Sequence, residues 1–178
     1  MKIRHLLGFL IVTVLAPVSL VAQSKCFDIN SYNLSPGGKI AYESLEKETM
    51  FALGGIGYGG ETSEGEEAMR ILLQEPSGRI AFFKLSTTDS GAGGLYGMIG
   101  LKILKSECFK EASETFDKLP DKGETKGWHK TLEPGEVGFM SGCLYFVVKR
   151  KDLAKQIGGG KFDIWAKSIE SQIIGRQQ

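Results

Sequence analysis

The chain has 178 residues, with 22 Lys and Arg against 21 Asp and Glu, and 42% of it is hydrophobic. That balance suits one globular domain and excludes a disordered charged tail, while a net charge of +1 leaves no electrostatic footprint for nucleic acid. Three Cys are too few for a small disulfide framework.

Lys2, Arg4 and His5 precede an uncharged run, Leu6 to Ala22, that is interrupted by Pro17 and followed by Gln23-Ser24-Lys25. This pattern predicts a secretory signal peptide over 1–22, with cleavage after Ala22 and a single exported domain over 23–178. A spanning helix needs about 20 apolar residues, which the run falls short of. Lys25, directly before Cys26, argues against a lipid-modified cysteine. The exported chain keeps 20 basic and 21 acidic residues, and no later segment is long and apolar enough to span a bilayer. The expected location is periplasmic or secreted.

Between Gly38 and about Gly57, Ile40, Leu45, Ala52 and Ile56 fall near one helical face, with Glu43, Glu46, Lys47 and Glu48 around the other side. The expectation is one long amphipathic helix. Ser63-Glu64-Gly65-Glu66 has the form of a capping box and opens a second helix, to about Gln74. Pro76 suits the first turn of a third, in which Ile80, Phe83 and Leu85 supply the apolar surface. Asp89 or Ser90 can cap a fourth. There Leu95, Tyr96, Met98, Ile99, Leu101, Ile103 and Leu104 leave no polar face before Lys105, so this helix must be buried. Ser106 can cap a fifth, with a stripe of Cys108, Phe109, Ala112 and Phe116 as far as Leu119.

Glycine inside a helix costs about 0.8–1 kcal/mol relative to Ala. Gly54, Gly57, Gly97 and Gly100 therefore read as points of close helix approach. A shift of 43 residues lays Gly54, Ile56, Gly57, Ser63 and Glu64 onto Gly97, Ile99, Gly100, Ser106 and Glu107, a period in the range of HEAT and armadillo repeats. A compact bundle with two glycine-tolerant contacts is the alternative.

The segments Phe51-Ala52-Leu53-Gly54-Gly55-Ile56-Gly57, Ser63-Glu64-Gly65-Glu66, Leu95-Tyr96-Gly97-Met98-Ile99-Gly100-Leu101 and Ser141-Gly142-Cys143 resemble a group of uncharacterised exported bacterial proteins with HEAT-like helix pairs. The likeness spans about 50–145. It implies fold and export, and brings no activity and no catalytic residue.

From Asp121 to Gly135 the chain is polar and glycine-containing, and reads as a loop. Val137 to Val148 is apolar on both alternating faces and rich in β-branched and aromatic residues, which fits a buried strand or a hairpin bent at Ser141-Gly142. Lys151 to Ile157 predicts a short helix stopped by Gly158-Gly159-Gly160, and Phe162 to Ile174 a final one. The expected fold is mainly α: about five packed helices with a HEAT-like repeat over about 38–119, then a β segment and short helices over about 137–174.

Gly55-Ile56-Gly57-Tyr58-Gly59-Gly60 matches a dinucleotide fingerprint, but that motif must follow a strand and the residues before it continue a helical face. Gly158-Gly159-Gly160-Lys161 lacks P-loop spacing and reads as a hinge. Asn33-Leu34-Ser35 matches a glycosylation acceptor but is followed by Pro36. The expected exported chain has one histidine, His129, and with widely spaced Cys this provides no zinc grouping. Glu64, Glu66 and Glu67 cluster at a helix start, where they meet the dipole favourably. No cofactor, no metal and no catalytic set is expected. Export and an odd number of cysteines predict one disulfide, Cys26–Cys143 in preference to Cys108–Cys143. The function expected is non-catalytic binding of another protein or envelope component. The alternative is a small extracytoplasmic hydrolase using carboxylates or the pair Cys143 and His129. A deep pocket joining those groups would favour the hydrolase, and a shallow exposed apolar patch would favour binding.

Overall fold

The computed structural model describes Cys26 and residues 32–89, 91–127 and 130–174. The expected signal peptide and His129 lie outside the described residues.

Helix α1 (Pro36–Lys47) begins with Pro36 in the first turn and the Ser35 hydroxyl accepting from the Gly38 N–H. It turns Ala41, Tyr42 and Leu45 inward, while Ile40, expected on the apolar face, is 71% exposed. The helix ends where Glu48 becomes extended. The predicted continuation to Gly57 is instead strand β1 (Met50–Ile56). Phe51, Ala52 and Leu53 are consecutively buried there, because a strand covered on both faces shows no alternation, and such a short apolar run has no period that separates it from a helix.

Four helices follow as expected, with ends shifted by a few residues: α2 (Glu64–Leu72), α3 (Gly78–Thr88), α4 (Ala92–Ile103) and α5 (Phe109–Lys118). Helix α4 is buried all round except at Lys102. It packs tightly on α3 through Gly97 and Gly100. A Cβ on Gly97 would stand 2.7 Å from the Phe82 carbonyl oxygen, and one on Gly100 would stand 2.5 Å from the Phe82 ring. Gly54 and Gly57 have a different role. They lie in and just after β1 with φ of +84° and +67°, so the 43-residue shift lays a strand and its turn onto a helix. It does not relate two copies of one helix pair.

The polar segment after α5 carries a small antiparallel pair, β2 (Thr125–Lys126) and β3 (Thr131–Leu132). The expected hairpin is β4 (Glu136–Gly142) and β5 (Leu144–Lys149). Ser141 pairs with Leu144, which leaves Gly142 and Cys143 as a two-residue turn. Gly142 has φ +58°, the positive value that such turns demand. β1 joins this hairpin in parallel, Phe51 opposite Phe139 and Ala52 opposite Met140, to give the order β1-β4-β5. The chain closes with α6 (Arg150–Gly158) and α7 (Asp163–Ile174). The whole is mainly α with a small mixed sheet.

Arg150, only 1% exposed, locks the hairpin to α5. Its guanidinium donates to the Phe116 and Leu119 carbonyls at the end of that helix, pairs with Asp121 at 2.8 Å and lies over the Phe116 ring. Terminal helix carbonyls lack intrahelical partners, and a guanidinium with five donors satisfies several of them at once.

The disulfide is Cys26–Cys108, with Cα atoms 5.6 Å apart. Both pairings expected for Cys143 are therefore corrected. Cys108 is wholly buried at the start of α5, whereas Cys143 occupies the exposed hairpin turn with a free thiol.

Candidate binding site

Three of the motifs singled out in the sequence meet at the outer edge of β1. The Ala52 N–H donates to the Tyr96 hydroxyl at 2.9 Å, and that hydroxyl donates to the Ala52 carbonyl at 2.8 Å. The Ser63 hydroxyl also reaches that carbonyl, at 3.2 Å. The Gly54 N–H donates to Glu66 Oε2 at 2.6 Å. Side chains thus seal a strand edge that would otherwise offer unpaired backbone groups. Burial pushes the Tyr96 phenol above its ordinary range, so it stays protonated and able to donate.

Half of the expected capping box forms. Ser63 Oγ accepts from the Glu66 N–H at 3.1 Å. The Glu66 carboxylate, however, turns to Gly54 and to Arg70, whose Nε and Nη2 both donate to Oε1 at 2.9 and 2.5 Å. Arg70 Nη1 then donates to Gln172 Oε1 on α7 at 2.7 Å. Gly65 sits at the centre, where a Cβ would stand 2.6 Å from the Tyr96 ring.

The glycine loop from Gly55 to Gly60 does connect a strand to a helix, contrary to the context expected from the sequence. Its arrangement nevertheless disfavours a phosphate. The first turn of α2 holds Glu64, Glu66 and Glu67, and Ser63 already takes the Glu66 N–H, so the donors and dipole of that helix end face carboxylates. The loop folds back on itself through paired N–H and carbonyl groups of Ile56 and Glu61, and Gly57 donates to the Gly142 carbonyl at 3.0 Å. Tyr58 at its tip is fully exposed.

A cleft of about 580 Å³ lies between this loop and the hairpin turn. Met50, Ile56 and Met140 give it apolar surface, and Glu48, Glu61, Glu64 and Cys143 also line it. The structure therefore brings Cys143 to a cleft that carboxylates share, while His129 lies outside the described residues. On the other side of the loop, a cleft of about 360 Å³ is bounded by Gly54, Gly55, the Glu66–Arg70 pair, Trp165 and Gln172. Among the described residues no group of three His, Cys, Asp or Glu could hold a metal ion.

A third feature runs across the sheet. Phe51, Phe139 and Phe146 stand in register on β1, β4 and β5, with ring centroids 6.3 and 6.1 Å apart. Phe162 packs edge-on against Phe51 and Phe139, and Trp165 packs against Phe162 at 5.8 Å. The row is buried at Phe51 and surfaces at its far end, where Phe146 and, two residues before it on β5, Leu144 are 43% and 63% exposed, whereas Trp165, 38% exposed, lies against Gly54 of β1. β5 is the last strand of the sheet, and its outer edge pairs with no other strand among the described residues.

Of these residues, sequence reasoning named Ser63 and Glu66 as caps and Cys143 as a candidate thiol. It missed Arg70, whose i,i+4 spacing from Glu66 was a readable sign. It also missed Trp165 and Gln172, which reach the site only through the packing of α7. No helix among the described residues is long and apolar enough to cross a membrane. No family model, curated protein or solved structure matches the chain.

Proposed function

We propose that the chain is an exported, non-catalytic binding protein that docks another protein or envelope component on the apolar strip formed by Leu144 and Phe146 of β5. One observation carries this reading: large apolar side chains stand exposed beside a sheet edge that no strand among the described residues extends. Such an edge accepts an extended segment through backbone hydrogen bonds, and alternate side chains supply the grip. The disulfide supports an oxidising compartment, periplasmic or secreted. The close α3–α4 pair at Gly97 and Gly100 is one helix pair of the kind that the resemblance to exported bacterial proteins implies, with no second copy related to it by the 43-residue shift.

The test is photocrosslinking in the source cells from position 146, with position 40 as control, since Ile40 is also apolar, is more exposed than Phe146 and lies on α1. A discrete adduct from position 146 alone is expected. Adducts from neither position, or from both alike, refute the reading.

The second reading is a small extracytoplasmic hydrolase, and the shared cleft of Cys143, Glu48, Glu61 and Glu64 favours it. A thiol nucleophile is lost with Cys143→Ser, whereas binding at the strip survives that change. A phenotype abolished by Cys143→Ser with folding intact selects the hydrolase.

A further inference from the structure

The 360 Å³ cleft beside the glycine loop contains only one cation and one anion among the residues that bound it, Arg70 and Glu66, and these neutralise each other. Glu66 is 1% exposed and holds the guanidinium by two of its nitrogens, while Gln172 fixes the third. Arg70 is thus set in place before any ligand arrives, with one N–H on each terminal nitrogen to spare.

The other groups facing the cleft are uncharged. The Trp165 indole N–H donates to no group among the described residues, and the indole is 38% exposed. The Thr62 and Ser168 hydroxyls and the Gln172 amide add short polar contacts. The wall next to the indole, at Gly54, Gly55 and Gly60, is backbone without side chains. A Cβ on Gly55 would stand 2.9 Å from Gly60, and one on Gly54 would stand 2.6 Å from the indole nitrogen. The two glycines thus let the indole edge and the returning loop pack directly on the backbone, and the part of the indole left exposed borders the cleft as an aromatic surface.

An anion is a poor match. It would meet the Glu66 carboxylate together with Arg70, whose charge is already satisfied. An apolar ligand would cover the Thr62, Ser168 and Gln172 polar groups without giving them partners. A ligand matched to this cleft is neutral, carries hydroxyls that both donate and accept, and has a C–H face to lay against an indole.

We infer that this cleft binds a neutral saccharide ring, with Trp165 as its stacking surface and Arg70, Gln172 and Thr62 as its hydroxyl partners. The site is separate from the apolar strip on β5 and stands whether or not that strip docks a protein.

The experiment is calorimetric titration of the intact disulfide-bonded chain with maltotriose, cellotriose and chitotriose, and with adenosine and inorganic phosphate as the alternatives of another class. At least one trisaccharide is expected to bind with a dissociation constant of about 1 mM or tighter. Trp165→Ala should abolish the heat. Gln172→Ala, at an exposed position, should weaken binding by about tenfold, because it removes a ligand partner and the hydrogen bond that steadies Arg70, while the thermal midpoint moves little because no core packing is lost. Phe146→Ala, on the β5 strip, should leave saccharide binding unchanged. Absence of heat with all three trisaccharides overturns the inference. So does binding of adenosine or phosphate in their place, or a saccharide affinity that Trp165→Ala and Gln172→Ala leave intact.

Discussion

Gly97→Ala and Gly158→Ala make the same chemical change in two helices and should move stability in opposite directions. Intrinsic helix propensity favours Ala over Gly by about 0.8–1 kcal/mol at either site. At Gly158, the last residue of α6, a Cβ would meet nothing within 4 Å. The substitution should stabilise there by about 0.4–1 kcal/mol, through propensity and through a less free unfolded chain. At Gly97 the Cβ would press on backbone, 2.7 Å from the Phe82 carbonyl and 2.8 Å from the Ser86 nitrogen. A helix backbone cannot rotate aside as a side-chain tip can, so α4 must shift from α3 at a cost of about 1–3 kcal/mol. Subtracting the propensity gain leaves a net loss between about 0 and 2 kcal/mol, centred near 1. Urea denaturation followed by circular dichroism measures both, with the slope held constant as the check that only stability has changed. A raised midpoint for Gly97→Ala, or equal shifts in the two variants, would refute the close α3–α4 contact.

Further outcomes follow from the other buried groups. Arg150→Ala should cost about 3 kcal/mol in the same assay, since the Phe116 and Leu119 carbonyls lose their partner inside the protein. Hydrogen bonding to Arg150 holds the Asp121 carboxyl below the usual aspartate range, so the folded form resists its protonation. Its contribution to stability is present above the ordinary aspartate value and is lost as pH falls through and below it. Asp121→Asn should flatten that acid limb of a pH–stability curve, and an unchanged limb counts against the pairing. Non-reducing peptide mapping should recover a Cys26–Cys108 peptide, and iodoacetamide should modify Cys143 alone in the folded chain. Recovery of any Cys143 bridge from freshly purified protein contradicts this structure.

How much of this was readable beforehand depends on where each residue's partner lies. Helices α2 to α5 were legible because their signals are local: a Ser63 cap, an uninterrupted apolar run in α4, a stripe in α5. The β4–β5 hairpin announced itself through β-branched residues around Ser141-Gly142, and its turn glycine sits where the chain needs positive φ. β1 was illegible because its partner β4 lies 88 positions later in the chain at Phe51 and Phe139, and a short apolar run carries no period of its own. Once Met50–Ile56 is a strand, Gly54 and Gly57 stop being helix contacts, and the apparent repeat dissolves with them. The cleft beside the loop was illegible for the same reason. Trp165 and Gln172 are unremarkable residues of a C-terminal helix until α7 lies against α2 and the Glu66–Arg70 pair. The sealed edge of β1 and the open edge of β5 also mirror this split. Tyr96, Ser63 and Glu66 close the first with side chains from α4 and from α2 and its cap. Nothing among the described residues extends the sheet beyond β5, so the surface most suited to a partner is the one whose neighbours within the chain end soonest.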